Sequence, residues 1–202
     1  MDWQRLDRKA TEDLIQKSGS ASVLFSPQTS EARRSALPFL DNFALYRLTN
    51  YASLPLISLD YLVNESNGDP NGVLYLDGST APILKAIRND NFSLDVDNVI
   101  GYVNFYFKNA PDPDGDIYII DDLESLVFFD LLGQDQQDRL TKNFEPPVVE
   151  QLEDGRYQIK ACMVNQGSLV TATIAVLGDG AVHISSVAMM IQSTPAYHRV
   201  DN

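Results

Sequence analysis

The sequence predicts an α+β fold: an antiparallel sheet with helices packed on one face, ending in a C-terminal three-stranded meander. Residues 157–164, 168–177 and 181–191 are strand-like runs separated only by Asn165-Gln166-Gly167 and Gly178-Asp179-Gly180. Such short glycine-containing links favour hairpins. In the middle run Val170, Ala172, Ile174 and Val176 fall on one face, and Thr171 and Thr173 on the other, the alternation of a half-buried strand. Val96, Val99, Ile100, Val103 and Phe107 recur at helical spacing within 95–108, which supplies a helix to cover the sheet. No strand runs into the glycine-rich turn of a nucleotide-binding βαβ unit.

From the N-terminus, the first 18 residues read as an amphipathic helix with Trp3, Leu6, Ala10 and Leu14 on one side. Residues 26–36 read as a polar connection. Residues 43–77 contain three strand-like segments, FALYRLTNY, LPLISLDYLV and GVLYLD, the last two separated by the polar loop Asn67-Gly68-Asp69-Pro70-Asn71-Gly72. A helix over 80–89 follows Asp77-Gly78-Ser79-Thr80, where Ser79 or Thr80 can cap it and Pro82 is tolerated in the first turn. Asp95 or Asp97 can cap the next helix. Pro111-Asp112-Pro113-Asp114-Gly115 is a turn leading to a strand over 116–120. Residues 126–132 fit a strand or a helix. Residues 134–143 form a short surface helix anchored by Leu140, and Pro146-Pro147 breaks the chain before the meander. The expected organisation is an N-terminal helical arm or extension over 1–40, an α+β domain over 41–193 and a tail over 194–202.

Charge is distributed unevenly. Residues 90–154 hold 16 acidic residues against Lys108, Arg139 and Lys142, and so carry the whole net charge of −13. One acidic block on a balanced frame makes one surface negative. That charge excludes general nucleic-acid binding, because a phosphate backbone is repelled, and it disfavours an anionic membrane surface. Hydrophobic residues make up 44% of the chain, enough for a packed core and too many for a disordered acidic segment. Cys162 is the single cysteine, so no intrachain disulfide forms. With no apolar signal core and no membrane-length apolar run, a cytoplasmic protein of bacterial type is expected.

The candidate metal site is Asp112, Asp114 and Asp116, whose alternating carboxylates suit a hard cation. The helix-loop-helix calcium spacing fails there: the required glycine falls on Ile117 and the closing glutamate on Leu123. A solvated turn accounts for the same residues. Asp77-Gly78-Ser79-Thr80 brings a carboxylate beside two hydroxyls, but a helix cap explains it. His183 and His198 have no metal-ligand spacing, and His183 with Ser185 is an everyday strand pair. Cys162 lies mid-strand near Lys160 and reads as a small buried hydrophobe. The aromatic residues between Tyr102 and Phe129 either fill a core or line a cavity between helix and sheet, with Tyr102, Tyr106, Tyr118 and Asp121 as its polar, ligand-binding handles. No catalytic constellation and no cofactor-binding motif stands out.

The run Val73-Leu74-Tyr75-Leu76-Asp77-Gly78-Ser79-Thr80-Ala81-Pro82-Ile83, then Asn98-Val99-Ile100-Gly101-Tyr102-Val103-Asn104-Phe105-Tyr106-Phe107, then the meander after Glu145-Pro146-Pro147, resembles a group of uncharacterised bacterial proteins. It is similar to a cystatin-like or NTF2-like arrangement, a helix followed by antiparallel strands. The resemblance covers roughly residues 73–191 and implies a scaffold without transferable active-site residues; the inhibitory loop of cystatins is missing. The sequence therefore points to a non-enzymatic module that binds a basic protein partner or its own copy as a homodimer. The alternative is a small-molecule binder or enzyme using the aromatic-lined cavity.

Overall fold

The computed structural model describes residues 2–66, 72–111, 115–126 and 129–192. The fold class is α+β, with two antiparallel sheets and a C-terminal meander. The chain divides into two compact units, Met1–Asn98 and Val99–Asn202. Residue 40, the expected end of the N-terminal segment, falls inside the first of these units.

The first unit contains β1 (Gln4–Arg5), α1 (Arg8–Lys17), β2 (Ser30–Ala36), β3 (Phe43–Asn50), β4 (Ile57–Asn64), β5 (Val73–Tyr75) and α2 (Ala81–Arg88). Its strands are ordered β1-β2-β3-β4-β5, each antiparallel to the next. Helix α1 is shorter than the sequence suggests. Asp7 is its N-cap, accepting from the Ala10 amide at 2.8 Å, and the residues before it pair with β2. Leu14 and Ile15 pack with Phe25, Ala32, Leu48, Tyr61 and Val63 on one face of the sheet. Trp3 leaves the expected helical stripe and lies 5.1 Å from the Arg47 guanidinium.

Strand β2 lies within the expected polar connection over 26–36 and pairs with β3 from Ser30↔Asn50 to Ala36↔Ala44. It buries only the small side chains Ala32 and Ser35. Its charges are met by partners: Arg34 donates twice to Glu65, at 2.6 and 2.7 Å, and Arg33 donates to Glu31 at 2.6 Å. Tyr46 donates to the same Glu65 carboxylate at 2.6 Å, and Arg47 grips Asp60 with two bonds of 2.7 Å. Ahead of α2, the Asp77 carboxylate accepts the amide and hydroxyl of Ser79, at 2.9 and 2.6 Å. The expected hydroxyl cap by Ser79 or Thr80 is thus replaced by an aspartate turn.

The second unit contains α3 (Val99–Asn109), β6 (Ile117–Ile119), α4 (Gln134–Asn143), β7 (Val148–Gln151), β8 (Tyr157–Asn165), β9 (Ser168–Val176) and β10 (Val182–Gln192). Its sheet runs β10-β9-β8-β6, with β7 also paired to β8. Helix α3 starts later than expected, because Asp95 holds the amides of Asp97 and Asn98 in the preceding turn, at 2.9 and 2.8 Å. Val96, assigned to the stripe, is consequently exposed outside the helix. Asn104 on α3 accepts the outward-facing Ile119 amide of β6 at 2.9 Å, which satisfies an edge group that would otherwise lack a partner. Leu140 of α4 packs with Ile120, Leu126, Val164 and Leu169. The ambiguous segment 126–132 holds a 3-10 turn, Phe129–Leu131. The segment 194–202, with His198, lies outside the described residues.

Candidate functional site

Among the described residues of the second unit, the outer strand of the meander leaves two large apolar side chains, Val187 and Met189, exposed. Gln166 and Gly167 both take positive φ, 51° and 73°, so the β8–β9 hairpin closes through a two-residue turn that matches strand twist. The β9–β10 turn is fixed by the Ala181 amide, which donates to Asp179 at 3.0 Å, and by Tyr102, whose hydroxyl donates to the Gly180 carbonyl. These turns set the register. Ile174 pairs with Ile159 on one side and Ile184 on the other; Ala172 pairs with Val187, and Val170 with Met189.

Side chains directly opposite in an antiparallel ladder share a face. Val187 and Met189 therefore extend the face on which Ile159, Ala161, Met163, Val170, Ala172 and Ile174 are buried. Yet Val187 is 52% exposed and Met189 64%. The sequence suggests that 181–191 is central or covered on both sides. Instead β10 ends the sheet order, and among the described residues no strand lines its outer side. Its residues include no lysine, proline or carboxylate, the usual means of blunting an edge. Two irregularities in its pairing, at Ile184/Ser186 and Met189/Ile191, bend it. Ser185 sits at the first and donates its hydroxyl to the Thr173 carbonyl at 3.0 Å.

On the other face of this sheet is a groove of about 460 Å³ lined by residues that include Lys160, Cys162, Thr171, Met190, Glu145 and Val148. The buried Cys162 thiol donates to the Met190 thioether at 3.5 Å. A second groove, about 410 Å³, runs between α3 and β6 and is lined by Asn104, Phe107, Lys108, Pro111 and residues 116–119.

The four expected ligand handles are not gathered around this second groove. Tyr102 is fully buried, and Tyr106 lies in the core against Tyr102 and Phe107, with ring centroids 6.1 and 6.0 Å away. Tyr118 does line the groove. Burial, and then the charge of Asp116, raise its hydroxyl above the ordinary value. Asp121 is exposed at the end of β6, its carboxyl raised by partial burial and by neighbouring Asp122. Of the metal candidates, Asp112 and Asp114 lie outside the described residues. Asp116 is exposed, and its carbonyl accepts the Gln166 amide at 3.1 Å. Among the described residues no three histidine, cysteine or acidic side chains gather in a metal-binding group. No described helix is long and apolar enough to cross a membrane.

No protein-family model matches the chain, and no curated protein or solved structure is detectably similar to it. The functional reading rests on the geometry.

Proposed function

We propose that the chain is a non-enzymatic interaction module that associates with a second copy of itself through β10. The observation that carries this reading is the run of a core face into an edge that no described strand covers: Val187 and Met189 continue the buried rows of β8 and β9 but face solvent. An outer strand offers unpaired backbone donors and acceptors, and a second β10 laid antiparallel satisfies both edges at once. Such a pairing is isologous and closes as a dimer. The cystatin-like or NTF2-like order of a helix followed by antiparallel strands serves as its scaffold, and the lone buried cysteine suits a reducing compartment such as the cytoplasm.

A second reading is supported by the groove between α3 and β6, where Phe107, Pro111 and Ile119 supply apolar walls and Asn104, Lys108, Asp116 and Tyr118 supply polar groups. That combination suits a small molecule. The acidic second unit also suits a basic protein partner. Native mass spectrometry of gently purified protein separates the two main readings. A dimer without an adduct is the expected result. A monomer carrying a small bound mass would replace self-association with the groove.

A further inference from the structure

Two segments at one end of the first unit carry no charged side chain, and Arg33 of β2 meets the Tyr51 hydroxyl at their margin. Residues 18–30 and 48–59 contain no Asp, Glu, Lys, Arg or His, in a chain that is 21% charged. The two segments meet in space. The Asn50 side chain donates to the Leu24 carbonyl at 2.7 Å, and the Tyr51 amide donates to Thr29 at 2.9 Å. The first segment contains the 3-10 turn Gly19–Leu24; the second contains the β3–β4 hairpin loop. Five large apolar side chains here face solvent: Val23, Leu24, Tyr51, Leu54 and Leu56. Leu54 is 100% exposed and Val23 85%.

This loop is held firmly despite its exposure. Asn50 accepts the Ala52 amide at 2.9 Å. Ser53 donates to the Asn50 carbonyl and accepts the Ile57 amide, both at 3.0 Å. The loop's own polar groups are thus tied inward while its leucines point out. Order of this kind lowers the entropy lost on docking.

We propose that this tip, centred on Leu54 and flanked by Val23 and Tyr51, is a lipid-contact surface that enters the interface of an uncharged, zwitterionic bilayer. Two features favour lipid over a protein partner. A protruding leucine needs a complementary pocket on a protein, whereas a bilayer accepts it without one. Every charge carried toward hydrocarbon is penalised; both segments are themselves free of charge, and Arg33 beside Tyr51 sits at the margin of the tip, away from Leu54, where it can stay at the level of the headgroups. Tyrosine beside leucine is the composition of a membrane–water boundary. The net charge of −13 still opposes an anionic surface, so acidic lipid weakens the contact.

The test is cosedimentation of the full chain with phosphatidylcholine vesicles, at low and high salt, and with vesicles containing added phosphatidylglycerol. The wild-type chain is expected to pellet with phosphatidylcholine at either salt, and less well at low salt when phosphatidylglycerol is present. Leu54→Asp and Leu56→Asp, both at exposed positions and checked for an unchanged circular dichroism spectrum, are each expected to lower the bound fraction about tenfold or more. The proposal is overturned if the wild type stays in the supernatant, if Leu54→Asp pellets like the wild type, or if only anionic vesicles bind. It is equally overturned if Leu54→Asp changes the oligomeric mass without any vesicle binding, which would assign the tip to a protein contact. The proposal does not rest on association through β10.

Discussion

Tyr102 and Tyr61 are both fully buried, but their hydroxyls have opposite fates. Tyr102 donates to the Gly180 carbonyl in the β9–β10 turn. Among the described residues the Tyr61 hydroxyl makes no hydrogen bond of good geometry, only a weak approach to the Ser18 side chain. Removing one member of a buried pair costs about 1–3 kcal/mol, whereas removing an unpaired hydroxyl relieves a desolvation penalty. Tyr102→Phe should therefore lower unfolding stability by about 1–3 kcal/mol, and Tyr61→Phe should leave it within about 1 kcal/mol of wild type or raise it. Urea titration of both variants checks this; equal losses would contradict the assignment. Tyr46 adds a pH dependence. Burial, and then the hydrogen bond to Glu65, push its hydroxyl up to about 12. A raised folded value means that stability is fully present below the unfolded value of about 10 and is lost as pH rises toward 12. Burial moves Tyr102 in the same direction. Melting temperature should fall over that interval, and the fall should be shallower in Tyr46→Phe. At this scale the sequence identified Tyr102 as a special aromatic but not its role, because a hydroxyl's partner here is a carbonyl 78 residues away.

Elements with strong hydrophobic periodicity were legible. The meander appears with the expected turns, and Val170, Ala172, Ile174 and Val176 are all buried on one face. Ile174 lies between Ile159 and Ile184, so Ile174→Asp places a carboxylate in the centre of that face. It should cost about 3–5 kcal/mol, read as a lower denaturation midpoint. Wild-type stability in this variant would mean that the face is wrongly assigned. Strand β2 was not legible, because its burial uses only Ala32 and Ser35 and Arg34 is neutralised by Glu65, 31 residues away. Helix α1 was overextended because the stripe through Trp3 and Leu6 continues past the Asp7 cap. The edge position of β10 was hidden for another reason: an apolar run on both faces looks the same whether a strand is central or awaits a partner. The exposed tip around Leu54 was missed as well, although the absence of charge over 18–30 and 48–59 marks it in the sequence.

The acidic block belongs mainly to the second unit, which holds 15 acidic and 6 basic residues, a net −9. Two such units repel each other, yet β10 has no acidic or basic residue other than His183. Self-association through β10 is therefore opposed by long-range repulsion that salt screens, and it should strengthen as ionic strength rises. Binding of a basic partner should weaken under the same change. Sedimentation equilibrium of the wild type and Met189→Lys across a salt series tests this account most directly. Met189 is exposed, so a lysine there blunts the edge without disturbing the core. The account predicts a wild-type dimer that tightens with salt and a monomeric variant of unchanged stability. A wild type that stays monomeric at high concentration and high salt, or a Met189→Lys variant that dimerises as well as the wild type, would contradict it.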